Sequence, residues 1–323
     1  MEALEILGLE LLLFLQYLRE ITGGCFDSFF LFFTDFGLIT TILIIISAIY
    51  WSLDKKLGEF LILSASAGLL FTSFAKVIAC IYRPWILDSN IHPVEAAIPD
   101  ATGYSFPSGH TMNSVITFGG ASLKENITKG LKIALLICLI LVAFSRCYLG
   151  VHSPADVVCS LIVGFLILFV FKKIFPKIDN DKYDLIIAFI GVVLSIALVI
   201  YTITKGYPMD YVGGKLLVDP KKMAVDAYET AGFVIGILLS WIIERRFIKF
   251  SCDGPVDCKI LRIVGGFIGF EILILIIKPI LDSLLPLMFS SVLNYILMGF
   301  YVVVIVPTII KYFQNRKPEI YKN

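Results

Sequence analysis

Residues 184–204 read DLIIAFIGVVLSIALVIYTIT, with one charge, Asp184, at the first position. A helix needs about 20 predominantly apolar residues to cross the hydrocarbon core of a bilayer, and this stretch supplies them without interruption. Working outward along the chain, comparable runs fall near 34–53, 57–82, 108–123, 131–149, 154–175, 227–243, 260–281 and 287–310. The run at 108–123 is short and broken by Asn113, Ser114 and Thr117, which makes it the weakest by hydropathy. Backbone polar groups in lipid must be satisfied within the segment, so runs of this length imply helices. The expected fold class is all-α, a polytopic transmembrane helix bundle of about nine spans.

The whole composition agrees. The 323 residues are 58% hydrophobic and only 16% charged, with a mean hydropathy of +0.90, far from the quarter-charged mean of soluble domains. Lys and Arg number 27 against 26 Asp and Glu. That balance suggests neither a nucleic-acid partner nor a basic peripheral anchor. Seven cysteines are scattered without metal-ligand spacing, and Cys252-x5-Cys258 has no His nearby, so neither a disulfide framework nor zinc is expected. Residues 1–20 carry Glu2, Glu5 and Glu10 where a signal peptide would carry positive charge. They are expected to form a retained amphipathic helix at the membrane interface.

Lys and Arg in short loops set orientation. Lys55, Lys56, Lys124, Lys129, Lys132, Lys172, Lys173, Lys177, Lys182, Arg245, Arg246, Lys249, Lys259, Arg262, Lys311, Arg316, Lys317 and Lys322 all fall on one side, which is therefore expected to be cytoplasmic. Loops 83–107 and 147–153 then face the other way. The loop at 205–226 is an exception, because it holds Lys205, Lys215, Lys221 and Lys222 yet lies outside if all nine spans are real.

The two outward loops and the adjoining span ends collect groups that suit a phosphate. Six residues separate Lys76 from Arg83-Pro84, and the proline ends the helix there. Pro107-Ser108-Gly109-His110 opens a span with a Ser N-cap, whose free N–H groups and positive dipole end suit an anion. Ser145-Arg146 is followed by His152 and Asp156; Ser153 at N-cap and Pro154 at N1 would start a span that brings Asp156 within reach of His152. Each piece alone has a plainer reading: a snorkelling cation, a turn with a cap, an inert interfacial His. Their combination on one membrane face, using two of only three His in the chain, points to a site.

These three motifs resemble the signature of the type-2 phosphatidic acid phosphatase superfamily, which includes lipid phosphate phosphatases, sphingosine-phosphate phosphatases, glucose-6-phosphatases and vanadium haloperoxidases. The resemblance covers roughly residues 25–205. It implies a phosphatase core at 1–205, formed by the N-terminal interfacial helix and six spans, followed by a three-span extension at 206–323. It further implies His152 as nucleophile, forming a phosphohistidine, with Asp156 holding its other ring nitrogen. His110 would be the acid for the leaving group and then the base for water. Lys76, Arg83, Ser108, Gly109 and Arg146 would bind the phosphate. No metal or other cofactor is expected, since three cations already balance the phosphate charge.

The expected function is an integral-membrane, metal-independent phosphoric monoester hydrolase acting at the extracytoplasmic or lumenal interface. Its partners would be the membrane itself and a lipid phosphate substrate: phosphatidate, a sphingoid-base phosphate, phosphatidylglycerophosphate or a polyprenyl phosphate or diphosphate. The sequence leaves open which of these it takes, the source membrane, the oligomeric state and the role of the last three spans. The alternatives are a sugar-phosphate phosphatase or phosphotransferase, and a transporter using Glu271 and Lys278 as a coupling pair. A structural pair with Lys278, seven residues on along the same span, or a protonated, hydrogen-bonded Glu271 would account for them equally. Gly265-x3-Gly269 reads as helix packing, and His92 as a solvated loop residue.

Overall fold

The computed structural model describes residues 2–178 and 183–316; Lys182, Lys317 and Lys322 of the set expected on the cytoplasmic side lie outside them. The described residues are mostly helical, with loops between the helices and one two-stranded ribbon. In order come α1 (Glu2–Ile21), α2 (Asp27–Asp35), α3 (Ile39–Ala48), α4 (Lys55–Ala79), α5 (Gly109–Ser114), α6 (Lys129–Tyr148), α7 (Pro154–Ile174) and α8 (Tyr183–Thr204). The ribbon pairs β1 (Tyr211–Val212) with β2 (Lys215–Leu216), and α9 (Pro220–Ile243), α10 (Val256–Ile272), α11 (Lys278–Leu284), α12 (Leu287–Phe300) and α13 (Val306–Arg316) complete the chain.

Each of the nine expected runs folds as helix. Among the described residues six helical stretches are long and apolar enough to cross a membrane: Lys55–Leu87, Lys129–Tyr148, Pro154–Lys177, Tyr183–Thr204, Val256–Leu284 and Leu287–Arg316. The pair Asp27–Asp35 and Ile39–Leu53, bent by 52° at Phe36–Leu38, makes a seventh if it is one span. The remaining two fall short for different reasons. The run beginning at α5 passes through a π-helical turn (Val115–Gly119) and ends at Ser122, too short to cross, whereas α9 carries Lys221, Lys222, Asp226 and Glu229 in its first turns. Phe189, Ile190 and Ile200 of α8 are exposed, as a lipid-facing helix requires.

Packing divides the chain into two compact units. One gathers Met1–Ile42, Phe71–Phe169 and Lys205–Met223; the other gathers Leu43–Leu70, Val170–Thr204 and Ala224–Asn323. In the first, α1 buries Leu12 and Leu15 against Ala143 and Cys147 of α6 and Val157 of α7, while Phe14 and Tyr17 remain exposed on its other face. Its polar residues hold the loop above: Gln16 accepts from the His92 amide at 2.7 Å and Arg19 donates to the His92 carbonyl at 2.5 Å.

In the second unit Gly232 and Gly236 of α9 lie directly against the carbonyls of Val292 and Ile296 on α12, so close that no Cβ would fit. This four-residue spacing of glycines gives the near approach of backbones that packing in lipid favours. The expected Gly265-x3-Gly269 contact forms only in part: Gly269 packs on the Tyr301 ring and Gly266 on Trp51, whereas Gly265 faces open space. The Glu271–Lys278 pair is corrected outright. Lys278 donates instead to Glu229 at 3.2 Å, and Glu271 is exposed. A π-helical turn at Leu273–Ile277 lies between the two residues; such a turn rotates the helix beyond it, so a seven-residue spacing no longer shares a face.

Candidate active site

All eight residues singled out from the motifs lie in the first unit. The start of α7 builds the centre. Ser153 Oγ accepts from the Asp156 amide at 3.3 Å, and the Asp156 carboxylate accepts from the Ser153 amide at 2.8 Å. This is a reciprocal capping box with Asp in the place of the usual Glu. The box fixes Asp156 Oδ2 3.2 Å from His152 Nδ1. Both residues are 2% exposed.

The other ring nitrogen faces Arg83, whose Nη1 lies 2.9 Å from His152 Nε2. A guanidinium has no acceptor, so Nε2 presents its lone pair and the proton sits on Nδ1, directed to Asp156. His152 lies in the loop before α7, and burial, then the charges of Arg83, Arg146 and Lys76, push its pKa well below 6.5. Buried in this way, the ring is held neutral with a free lone pair on Nε2.

Arg83 directs three further N–H donors to carbonyls: Nε to Gly103 at 3.2 Å, Nη2 to Thr102 at 3.0 Å and Nη1 also to Val151 at 2.8 Å. Lys76 Nζ donates to the Tyr104 carbonyl at 2.7 Å. Arg146 is fully buried, and its Nη1 donates to Thr34 Oγ1 at 2.5 Å. Its Nε and Nη2, together with His110 Nε2, are buried without a hydrogen-bond partner among the described residues. Buried N–H groups are seldom left unpaired in proteins, and a guanidinium edge with two of them suits an oxyanion. Arg146, Arg83, Lys76 and His152 lie near enough to His110 to act on it electrostatically.

Ser108 caps α5 as its position suggested. Its Oγ accepts from the Thr111 amide at 3.3 Å and the Thr111 hydroxyl at 3.0 Å. Both lone pairs are then engaged, which leaves the hydroxyl proton for another acceptor. Its backbone is held by α7, through Asp156 O at 3.2 Å and Ser160 Oγ at 2.9 Å. A Cβ added at Gly109 would meet only the Thr72 methyl among the described residues, at 3.9 Å. His110 is braced from below by Gly37, where a Cβ would collide with its Cβ.

Three contributors escaped the sequence reading. Ser105 Oγ donates to Asp156 Oδ2 at 2.6 Å and lies 3.4 Å from His152 Nδ1. Thr34 comes from the last turn of α2 and Gly37 from the bend between α2 and α3. Only the nearness of Ser105 to Pro107-Ser108-Gly109-His110 could have hinted at it; the other two carry no local signal. His92 takes no part, its backbone being tied to α1.

Among known protein families, residues 58–180 match the PAP2 superfamily and residues 228–317 match the PAP2 superfamily phosphatase, transmembrane extension. The undecaprenyl-diphosphatase BcrC of Bacillus subtilis is 30% identical over 165 residues, 50% of this chain and 80% of that protein. The chain belongs to the PAP2 superfamily. Among other PAP2 relatives, an undecaprenyl-diphosphatase of Sulfolobus acidocaldarius is 30% identical over 120 residues. That match takes in 37% of this chain and 56% of the relative. Lipid phosphate phosphatase delta of Arabidopsis thaliana is 37% identical over 90 residues, 25% of this chain and 22% of its own length. No solved structure matches the chain. The motifs read from the sequence all fall within the PAP2 match, and the extension match takes in most of α9 and the helices that follow it.

Proposed function

We propose that this PAP2 protein is a metal-independent lipid phosphate phosphatase that works through a phosphohistidine on His152. The observation that carries the reading is the His152 ring itself, fixed through Nδ1 by Asp156 with its Nε2 lone pair turned to Arg83. An incoming phosphate draws Arg83 Nη1 onto its own oxygens, which uncovers Nε2 for attack on phosphorus. Arg146 Nε and Nη2, the Ser108 hydroxyl, the Gly109 amide and Lys76 take the equatorial oxygens as charge develops. Asp156 stabilises the imidazolium as the bond forms. His110 gives its proton to the leaving oxygen, then accepts one from the water that cleaves the phosphohistidine. The catalytic core is 1–205 and the extension 206–323.

The relatives favour a lipid substrate. Two are named undecaprenyl-diphosphatases, another is the phosphatidylglycerophosphatase B of Bacillus subtilis, 31% identical over 110 residues. The apolar spans let such tails remain in the bilayer while the headgroup reaches His152. The transporter alternative loses its coupling pair, since Lys278 binds Glu229.

Phosphate release by the detergent-purified protein from polyprenyl diphosphate, phosphatidate, phosphatidylglycerophosphate and glucose 6-phosphate tests the proposal. Turnover is expected to be greatest with a lipid, to continue in excess chelator and to stop with vanadate, which adopts the five-coordinate geometry of phosphoryl transfer. A strict Mg²⁺ requirement would exclude the mechanism.

The depressed pKa of His152 fixes the sign of the pH response. The nucleophile is active when neutral, so lowering its pKa extends activity to more acid pH. The acid limb of kcat/KM, corrected for ionisation of the substrate, is expected below pH 6.5. A limb above 6.5 would point to a different essential base.

Sidedness follows from the basic loops. Single cysteines introduced in loop 85–105 of a cysteine-free variant are expected to react with an impermeant thiol reagent on the extracytoplasmic or lumenal face. Labelling only from the cytoplasm would invert the topology and carry the site with it.

A further inference from the structure

Loop 205–226, whose lysines the orientation rule leaves unexplained, folds in large part with the candidate site: Lys205–Met223 belongs to the same compact unit. Three contacts fasten this segment to the stretch between Lys76 and Arg83 and to the backbone whose carbonyls those side chains bind. Lys205 Nζ donates to the carbonyls of Val77 and, at 3.0 Å, Ile78. These sit in the last turn of α4, whose final carbonyls have no partner within the helix. The chain leaves that helix through Cys80, a non-glycine residue in the left-handed region at φ 49°. A backbone of that kind persists where its surroundings hold it.

The second contact is Asp210, which accepts from the Tyr82 hydroxyl at 2.6 Å, one residue before Arg83. The third is Met223, whose sulfur lies where a Cβ on Gly103 would stand. Gly103 is itself at φ +66°, and its carbonyl accepts from Arg83 Nε. The Ser105 amide closes the layer by donating to the Ile81 carbonyl at 2.8 Å.

We propose that 205–223 is a positioning strap. It fixes the backbone at 77–82 and 102–104, and thereby the side chains of Lys76 and Arg83, with Lys205 and Asp210 as the positioning residues. This rests on the reading of Lys76 and Arg83 as phosphate ligands. It also gives Lys205, one of the four outward lysines, a reason to be there, since its ammonium caps a helix C-terminus where cations are favoured. A strap of this kind acts on anion affinity, because it places donors without touching the reacting atoms.

Full-length protein in detergent, with nitrophenyl phosphate as substrate and vanadate as the probe anion, tests the strap. Asp210→Ala is expected to raise KM and weaken vanadate binding about three- to tenfold, with kcat changed less than about twofold. Asp210→Asn keeps an accepting oxygen and should restore both to within about twofold of the parent. Tyr82→Phe removes the same bond from the other side, so Tyr82→Phe/Asp210→Ala should match Asp210→Ala alone. Unchanged vanadate affinity in Asp210→Ala would overturn the strap. So would a loss shared by Asp210→Asn, or additive losses in the double variant. Calorimetric vanadate binding reads the strap without turnover. If the parent released no phosphate from lipid or aryl substrates, the phosphatase reading would therefore fail separately.

Discussion

His152→Ala is expected to abolish turnover of lipid and aryl phosphates alike, by about five to six orders of magnitude, because every substrate requires the nucleophile. No phosphoenzyme should be trapped from either class. His110→Ala should separate the two. In the first step His110 is needed only to protonate a poor leaving group, and nitrophenolate departs without that help. The variant should therefore still form the phosphohistidine from nitrophenyl phosphate. Hydrolysis of that intermediate should lag, since the same imidazole activates water in the second step. The trace is a burst of about one equivalent of nitrophenol followed by slow turnover. With a lipid phosphate, whose alkoxide leaves poorly, no burst should appear. Equal loss of burst and steady state in both variants would show that the acid and nucleophile are assigned wrongly, or that His110 chiefly binds the anion.

Arg146 offers an effect of opposite sign on activity and stability. Its guanidinium is fully buried, with one bond to Thr34 and with Nε and Nη2 lacking partners among the described residues. A buried charge so poorly paired destabilises the fold, and replacing one by an apolar side chain of similar length is often stabilising. Arg146→Met is therefore expected to raise Tm by about 2–6 °C. It should lower kcat/KM by about two to three orders of magnitude, the usual effect of removing a donor to developing negative charge. Vanadate should raise the Tm of the parent, as any ligand of the native state does, and leave that of the variant unchanged. A fall in Tm of several degrees would mean that Arg146 holds the fold through Thr34 rather than standing ready for an anion. Arg146→Lys, which keeps the charge but loses the planar fork, should recover little activity.

Much of the candidate site was legible because its geometry is local. Ser153, Pro154 and Asp156 occupy the cap, first and third positions of one helix, so the capping box and the reach from Asp156 to His152 follow from spacing alone. Ser108 is likewise readable as an N-cap. The Gly232-x3-Gly236 contact was passed over because its partner carbonyls lie on α12, some sixty residues further along. The Glu271–Lys278 pairing misled because heptad spacing assumes an uninterrupted α-helix, and a π-helical turn intervenes.

Sequence by itself determined the helical membrane class, the position of every span-length run and the three motif clusters, since run length, capping residues and short-range spacing act within a few turns of chain. Tertiary structure alone decided which groups meet across large separations. Thr34 reaches Arg146, Gly37 braces His110, Ser105 joins Asp156, and Asp210 reaches Tyr82 over 128 positions. It also decided that Arg83 rests on His152 and on carbonyls. Those contacts depend on how helices pack and where loops close, and a buried donor takes whichever acceptor that packing brings within about 3 Å.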